Sequence, residues 1–237
     1  MHRYRAAKHS MGNDKNISMN PSTVKRIFSP FIRSAARRTL VGRNRSSAGS
    51  EQGRFSQGEV DDLLQQTWQR YDVLAADAPI EADYTYGNRM NVQLAVLTYA
   101  ALEVFQAAGI PRAYAVELIA DLAWKIYEKW GAIPTLLARL LGRHGAERMR
   151  FSVHAFLRFP FSPPAYRMDH LPSQDGVRFD VVCCPIALYF RQNEAADLCQ
   201  AAWCDLDYGL AEMWGGRLER TQTIAAGCDH CDFHFRV

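Results

Sequence analysis

No cysteine occurs in the first 182 residues of this 237-residue chain, and all six fall between Cys183 and Cys231. The first fifty residues are almost as poor in acid: eleven Lys/Arg stand against a single carboxylate, Asp14. No run approaches the roughly 18 to 20 apolar residues that a membrane span requires, which excludes a transmembrane segment. The N-terminus lacks the apolar core and small-residue cleavage site of a secretory signal. Thiols without an export signal are expected to be reduced and cytoplasmic rather than paired in a disulfide framework. No phosphate loop, Gly-x-Ser-x-Gly elbow, His-Glu-x-x-His or dinucleotide fingerprint appears.

What is present divides unevenly. The whole chain carries a formal charge of +3, with 48% apolar and 11% aromatic residues. Beyond residue 50 there are 17 bases and 24 acids, so the body is acidic and offers nothing to nucleic acid. Residues 1–54 read as a basic, Arg- and Ser-rich arm, disordered or targeting, with one amphipathic piece (Val24, Ile27, Phe28, Phe31, Ile32, Ala35) that Pro30 interrupts. Met11 and Met19 are both alternative starts within it. Residues 55–237 are expected to form a single α+β domain.

Ser56-Gln57-Gly58-Glu59 fits a capping box, in which serine and glutamate side chains satisfy each other's orphan amides. A helix to about residue 75 follows, then a polar loop from Asp77 to Asn88. A second helix spans 89–108 and stops at Gly109 and Pro111. A third is predicted from 112 to 130, ending at Gly131, and a fourth opens at Pro134 and runs through Leu141. Phe151 to Phe159 alternates with period two and predicts a strand. Pro160 to Asp175 predicts a loop. Strands are further predicted over 177–182, 217–224 and 232–236, with helices over 186–203 and 206–213. Helices followed by strands argue for N-terminal helices packed on a small antiparallel sheet.

The thiols carry the candidate chemistry. Cys184 ends a strand, and Pro185 opens a helix after it, so the helix N-terminus should lower the thiol pKa. Cys183 and Cys184 alternate, so only one of them can face a site. Cys204 stands beside Asp205 and Asp207; Asp207 is the candidate general acid/base, its pKa pushed up in a cleft shared with thiols. Asp205 suits a helix N-cap, and Cys199 suits packing. In Gly227-Cys228-Asp229-His230-Cys231, a Cys-x-x-Cys spacing would suit zinc only with a second paired half elsewhere. A hairpin turning at Gly227 places Cys231 inward, Thr221 and Thr223 together with hydroxyls for a ligand, and Arg220 on the opposite face unless a bulge re-aims it. His154 and His170 attach to no site by spacing.

These residues resemble a family, the 2-aminothiazoline-4-carboxylate hydrolases, bacterial proteins that open a cyclic amidine made from cysteine. The resemblance rests on a strand ending in Cys184, on Cys204 with Asp207, and on Arg220-Thr221-x-Thr223-Ile224-x-x-Gly227-x-x-x-Cys231-Asp232-Phe233. It covers residues 85–237, is informative over 180–235, and leaves Cys183, Cys199 and Cys228 outside its pattern. It implies hydrolysis of a C–N or C–S bond in a small amidine-like ring. Cys184 or Cys231 would act as the nucleophile and Asp207 as the proton carrier, with Cys204, Thr221 and Thr223 binding the substrate. No cofactor is implied, and a homo-oligomer is left open. Two rival classes remain: a non-catalytic, vinyl-reductase-like binding domain, which the ending Gly-x-x-x-Cys-x-Phe also resembles, and a metal-thiolate protein holding zinc or iron on Cys184, Cys204 and Cys231.

Overall fold

The computed structural model of the chain describes residues 19–47 and 49–237. The first helix, α1 (Pro21–Leu40), is capped by Asn20, whose side chain accepts from the Thr23 amide. It keeps Pro30 in its interior, and Val24, Phe28, Ile32, Ala36 and Leu40 sink into the same apolar core as the body. The boundary at residue 54 therefore does not separate two cores: the amphipathic piece of the arm is one of the core's helices. Residues 1–18, with Met11 and the first part of the basic arm, lie outside the described residues, so its reading as disordered or targeting does too.

A small ribbon of β1 (Asn44–Ser46) and β2 (Gly49–Arg54) leads into α2 (Gln57–Leu74). Both halves of the Ser56–Glu59 capping box are formed. Next comes α3 (Tyr86–Ala107), with a Thr85–Asn88 box of the same kind. Gly109 follows with φ +81°, a left-handed backbone that glycine alone adopts without penalty.

Two sequence expectations fail here. The third and fourth predicted helices are one 29-residue helix, α4 (Arg112–Leu140), which runs through Gly131 and Pro134. A glycine costs a helix interior about 1 kcal/mol and a proline about 3. Packing answers for the glycine: a Cβ on Gly131 would stand 2.2 Å from Leu210 Cδ2, and the Trp214 indole donates to the Gly131 carbonyl at 2.9 Å. Pro134 is buried within the same helix. The predicted strand over 151–159 is instead the second half of α5 (Gly145–Arg158), which buries Met149, Ser152 and Val153 at helical spacing.

The rest is the sheet and its cover. β3 (Arg167–Leu171) lies inside the segment expected as loop, and β4 (Gly176–Cys183) follows it. After them come α6 (Pro185–Gln192), α7 (Ala196–Cys199), a π-turn over Gln200–Cys204, α8 (Leu206–Trp214), β5 (Arg217–Glu219) and β6 (Cys231–Arg236). The sheet is antiparallel with order β3-β4-β6-β5. Val177, Phe179 and Val181 of β4 pair in register with Phe235, Phe233 and Cys231 of β6. Phe179 stacks on Phe233 with ring centroids 5.1 Å apart. The α+β expectation holds, with helices and a small antiparallel sheet in one core. No helix among the described residues is long and apolar enough to cross a membrane.

Candidate active site

The inner face of the sheet, α4, α5, the π-turn and α8 enclose a cavity of about 100 Å³. Cys184, Cys199, Cys204, Cys231 and Asp207 all line it. Cys183 and Cys228 do not. Each element delivers its thiol for a local reason. Cys231 faces inward because it shares the period-two face of Phe233 and Phe235. Cys184 is the N-cap of α6, where its sulfur accepts from the Ala187 amide at 3.5 Å. Cys199 and Cys204 flank the π-turn, and the five-residue step brings their thiols into hydrogen-bonding contact.

Burial, not the helix N-terminus, sets the state of Cys184. Enclosure pushes its thiol far up, against the downward pull of the Ala187 amide. The expected lowering is thus outweighed, because a sulfur anion cut off from water loses more than one backbone amide returns. Cys231 rises to about 11, first through burial, although its sulfur accepts from the Ile224 amide at 3.2 Å. Cys199 rises through its bond to Cys204 and through burial.

Asp207 is pushed up to about 6, chiefly by burial and against the attraction of Arg220. Its side chain keeps 20% of its surface open, and it lines the cavity. Arg220 does not lie on an outer face as expected. Its side chain is only 2% exposed, with Nη1 3.2 Å from Asp207 and Nη2 3.6 Å from Asp205. Nη2 also donates to the Cys204 carbonyl at 3.0 Å. The guanidinium sits 5.1 Å from the ring centroids of both Tyr208 and Phe233. Asp205 makes no capping bond from its side chain; the ion pair with Arg220 takes its place.

The two threonines are not on a strand, because β5 ends at Glu219. The Thr221 hydroxyl and amide both donate to Asp232, at 2.7 and 2.9 Å. Thr223 is buried, and its hydroxyl oxygen accepts from the Ala226 amide in the turn that precedes Gly227. Neither lines the cavity. The structure thus brings together Cys184, Cys204, Cys231 and Asp207, and holds Thr221 and Thr223 apart from them. Among the described residues no group of three or more His, Cys, Asp or Glu could hold a metal ion.

Sequence reasoning missed Tyr127, Trp203 and Arg220. Tyr127, on α4, lines the cavity; burial drives its hydroxyl pKa well up, and Asp207, Tyr166, Cys204 and Cys184 add to the rise. Among the described residues its hydroxyl has no hydrogen-bond partner. Nothing in the α4 stripe distinguishes it from core. Arg220 was legible in part: it opens the Arg-Thr-x-Thr motif, but strand alternation placed it on the opposite face.

Residues 125–235 match the family model of L-2-amino-thiazoline-4-carboxylic acid hydrolase. The matched span starts two residues before Tyr127 and ends within β6, so it holds every cavity group described above. The resemblance drawn from the Cys/Asp and Arg-Thr-x-Thr motifs therefore stands over this region. No curated protein matches the chain. No solved structure matches it.

Proposed function

We propose that the thiol-lined cavity is the active site of a hydrolase that opens a C–N or C–S bond in a small cyclic amidine. The observation that carries this reading is the meeting of Cys184, Cys231 and Cys204 with a carboxyl of raised pKa in one cavity, inside the segment that matches the hydrolase family.

In this reading Cys184 is the nucleophile. It rests as a thiol, and Asp207, ionised at neutral pH with a pKa of about 6, takes its proton as the sulfur attacks the sp² amidine carbon. The sulfur anion that forms is met by the Ala187 amide at the start of α6. Protonated Asp207 then passes the proton to the departing ring heteroatom as the ring bond breaks, leaving the carbon on Cys184. Water adds to that carbon, giving its proton to Asp207. The Cys184–carbon bond breaks, and Asp207 returns the proton to the sulfur. One water is consumed and no redox partner is needed. Cys231 is the second candidate nucleophile, because it is held less high than Cys184 and shares its surroundings with Arg220 and Asp207. Arg220 positions Asp207 and keeps its carboxylate accessible at neutral pH.

The test is turnover of 2-aminothiazoline-4-carboxylate and simpler 2-aminothiazolines by the protein and by Cys184→Ser and Cys231→Ser. The reading expects a loss of at least a thousandfold in kcat for Cys184→Ser with the fold intact by circular dichroism. Full activity in that variant removes Cys184 from the reaction. The same loss in Cys231→Ser alone moves the nucleophile there.

A further inference from the structure

The chemistry of the cavity wall restricts what can enter it. Among its lining residues there is no Lys, Arg or His, and the one acid is Asp207. Arg220 stands behind that acid, engaged with both Asp207 and Asp205. A carboxylate on the ligand would thus be enclosed beside a carboxylate, with the nearest guanidinium already paired. An amidine head suits the same wall, because its N–H groups can donate to Asp207.

A second cavity of about 120 Å³ lies beyond Tyr127 and Trp203, which line both spaces. None of its lining residues is charged. Its two threonine hydroxyls are spent within their own helices, Thr67 on the Leu63 carbonyl and Thr98 on the Leu94 carbonyl. Such a space stays dry and favours hydrocarbon. On the partition, the Trp203 indole N–H is buried with no acceptor, although buried donors are nearly always paired.

We infer that the ligand of this site has an amidine or amide head, no anionic group, and an apolar tail that passes Tyr127 and Trp203 into the second cavity. This rests on the thiol cavity being the site of hydrolysis, and it departs from the carboxylate-bearing ring named by the matched family. The head faces Asp207 and the thiols, and an acceptor on the ligand takes the Trp203 N–H. The tail lies among Leu97, Ala101, Ala123 and Ile126.

A calorimetric series tests it: 2-aminothiazoline, its 4-methyl, 4-butyl and 4-hexyl derivatives, and 2-aminothiazoline-4-carboxylate. Titration uses the intact protein and Cys184→Ser, where turnover does not interfere. Affinity should rise two- to fourfold per methylene until the second cavity is filled, and the carboxylate should bind at least tenfold more weakly than the 4-methyl compound. Ala101→Trp or Ala123→Leu, which fill the second cavity, should abolish the chain-length gain and leave the unsubstituted ring unaffected. Two variants guard against one failing to fold. Equal or tighter binding of the carboxylate, affinity independent of chain length, or a gain that survives both fillings overturns the inference. Turnover separates the two readings. Absence of hydrolysis across the series with the chain-length gain intact removes the enzyme and keeps the ligand class; hydrolysis of the carboxylate with flat affinities does the reverse.

Discussion

Asp207 faces Arg220 across 3.2 Å, and the guanidinium is almost sealed between two aromatic rings. The arginine holds the acid down while burial drives it up, and burial prevails. A carboxyl balanced in this way changes charge near neutral pH, as a proton carrier must.

Breaking that pair exposes its weight. Arg220→Met should raise the pKa of Asp207 above about 6, moving the acid limb of a pH–rate profile upward. It should also destabilise the protein by about 3 kcal/mol, since one charge of a buried pair is left alone. Urea denaturation and the pH profile check the two effects separately. An unmoved acid limb would mean that Arg220 does not govern Asp207.

Stability should itself depend on Asp207. Its folded pKa lies above the value of 3.8 for an unstrained carboxyl, so the folded state holds its proton more tightly than the unfolded chain does. The resulting stabilisation is complete below pH 4, and it is lost as pH rises through about 6. The loss is roughly 2 to 3 kcal/mol by linkage. Asp207→Asn should flatten that part of the pH–stability curve measured by denaturant titration; an unchanged slope would refute the assignment.

Thr221→Val should leave ligand affinity and kcat within about twofold, because its hydroxyl is engaged by Asp232 outside the cavity. The expected effect is on stability, roughly 1.5 kcal/mol for one lost hydrogen bond to a charged acceptor. A large rise in KM would restore the threonine to the substrate.

Gly176→Ala tests the sheet that carries Cys231. A Cβ there would stand 1.8 Å from the Phe235 carbonyl oxygen, a backbone atom that cannot swing aside. The expected result is a drop of at least 2 kcal/mol in denaturant stability, in the range of overpacking. It should be accompanied by faster alkylation of Cys231 as the β4–β6 ladder loosens.

Local chemistry made part of this protein legible in its sequence. The Ser56 capping box, the stop at Gly109 and the alternation of Cys231, Phe233 and Phe235 are all set by neighbours a few residues away. The clustering of thiols near Asp207 was readable too, because one stretch of chain carries them all. Tertiary packing decided the rest. Gly131 and Pro134 look like a helix end until α8 lies against Gly131, and Phe151 to Phe159 alternates like a strand until Met149, Ser152 and Val153 meet the core. Arg220 joined the site, and Thr221 and Thr223 left it, for the same reason: β5 stops at Glu219, so Arg220 pairs with Asp207, Thr221 with Asp232, and Thr223 closes the turn onto Ala226. Sequence spacing records what a backbone can do locally; desolvation and long-range pairing exist only once the chain has closed on itself.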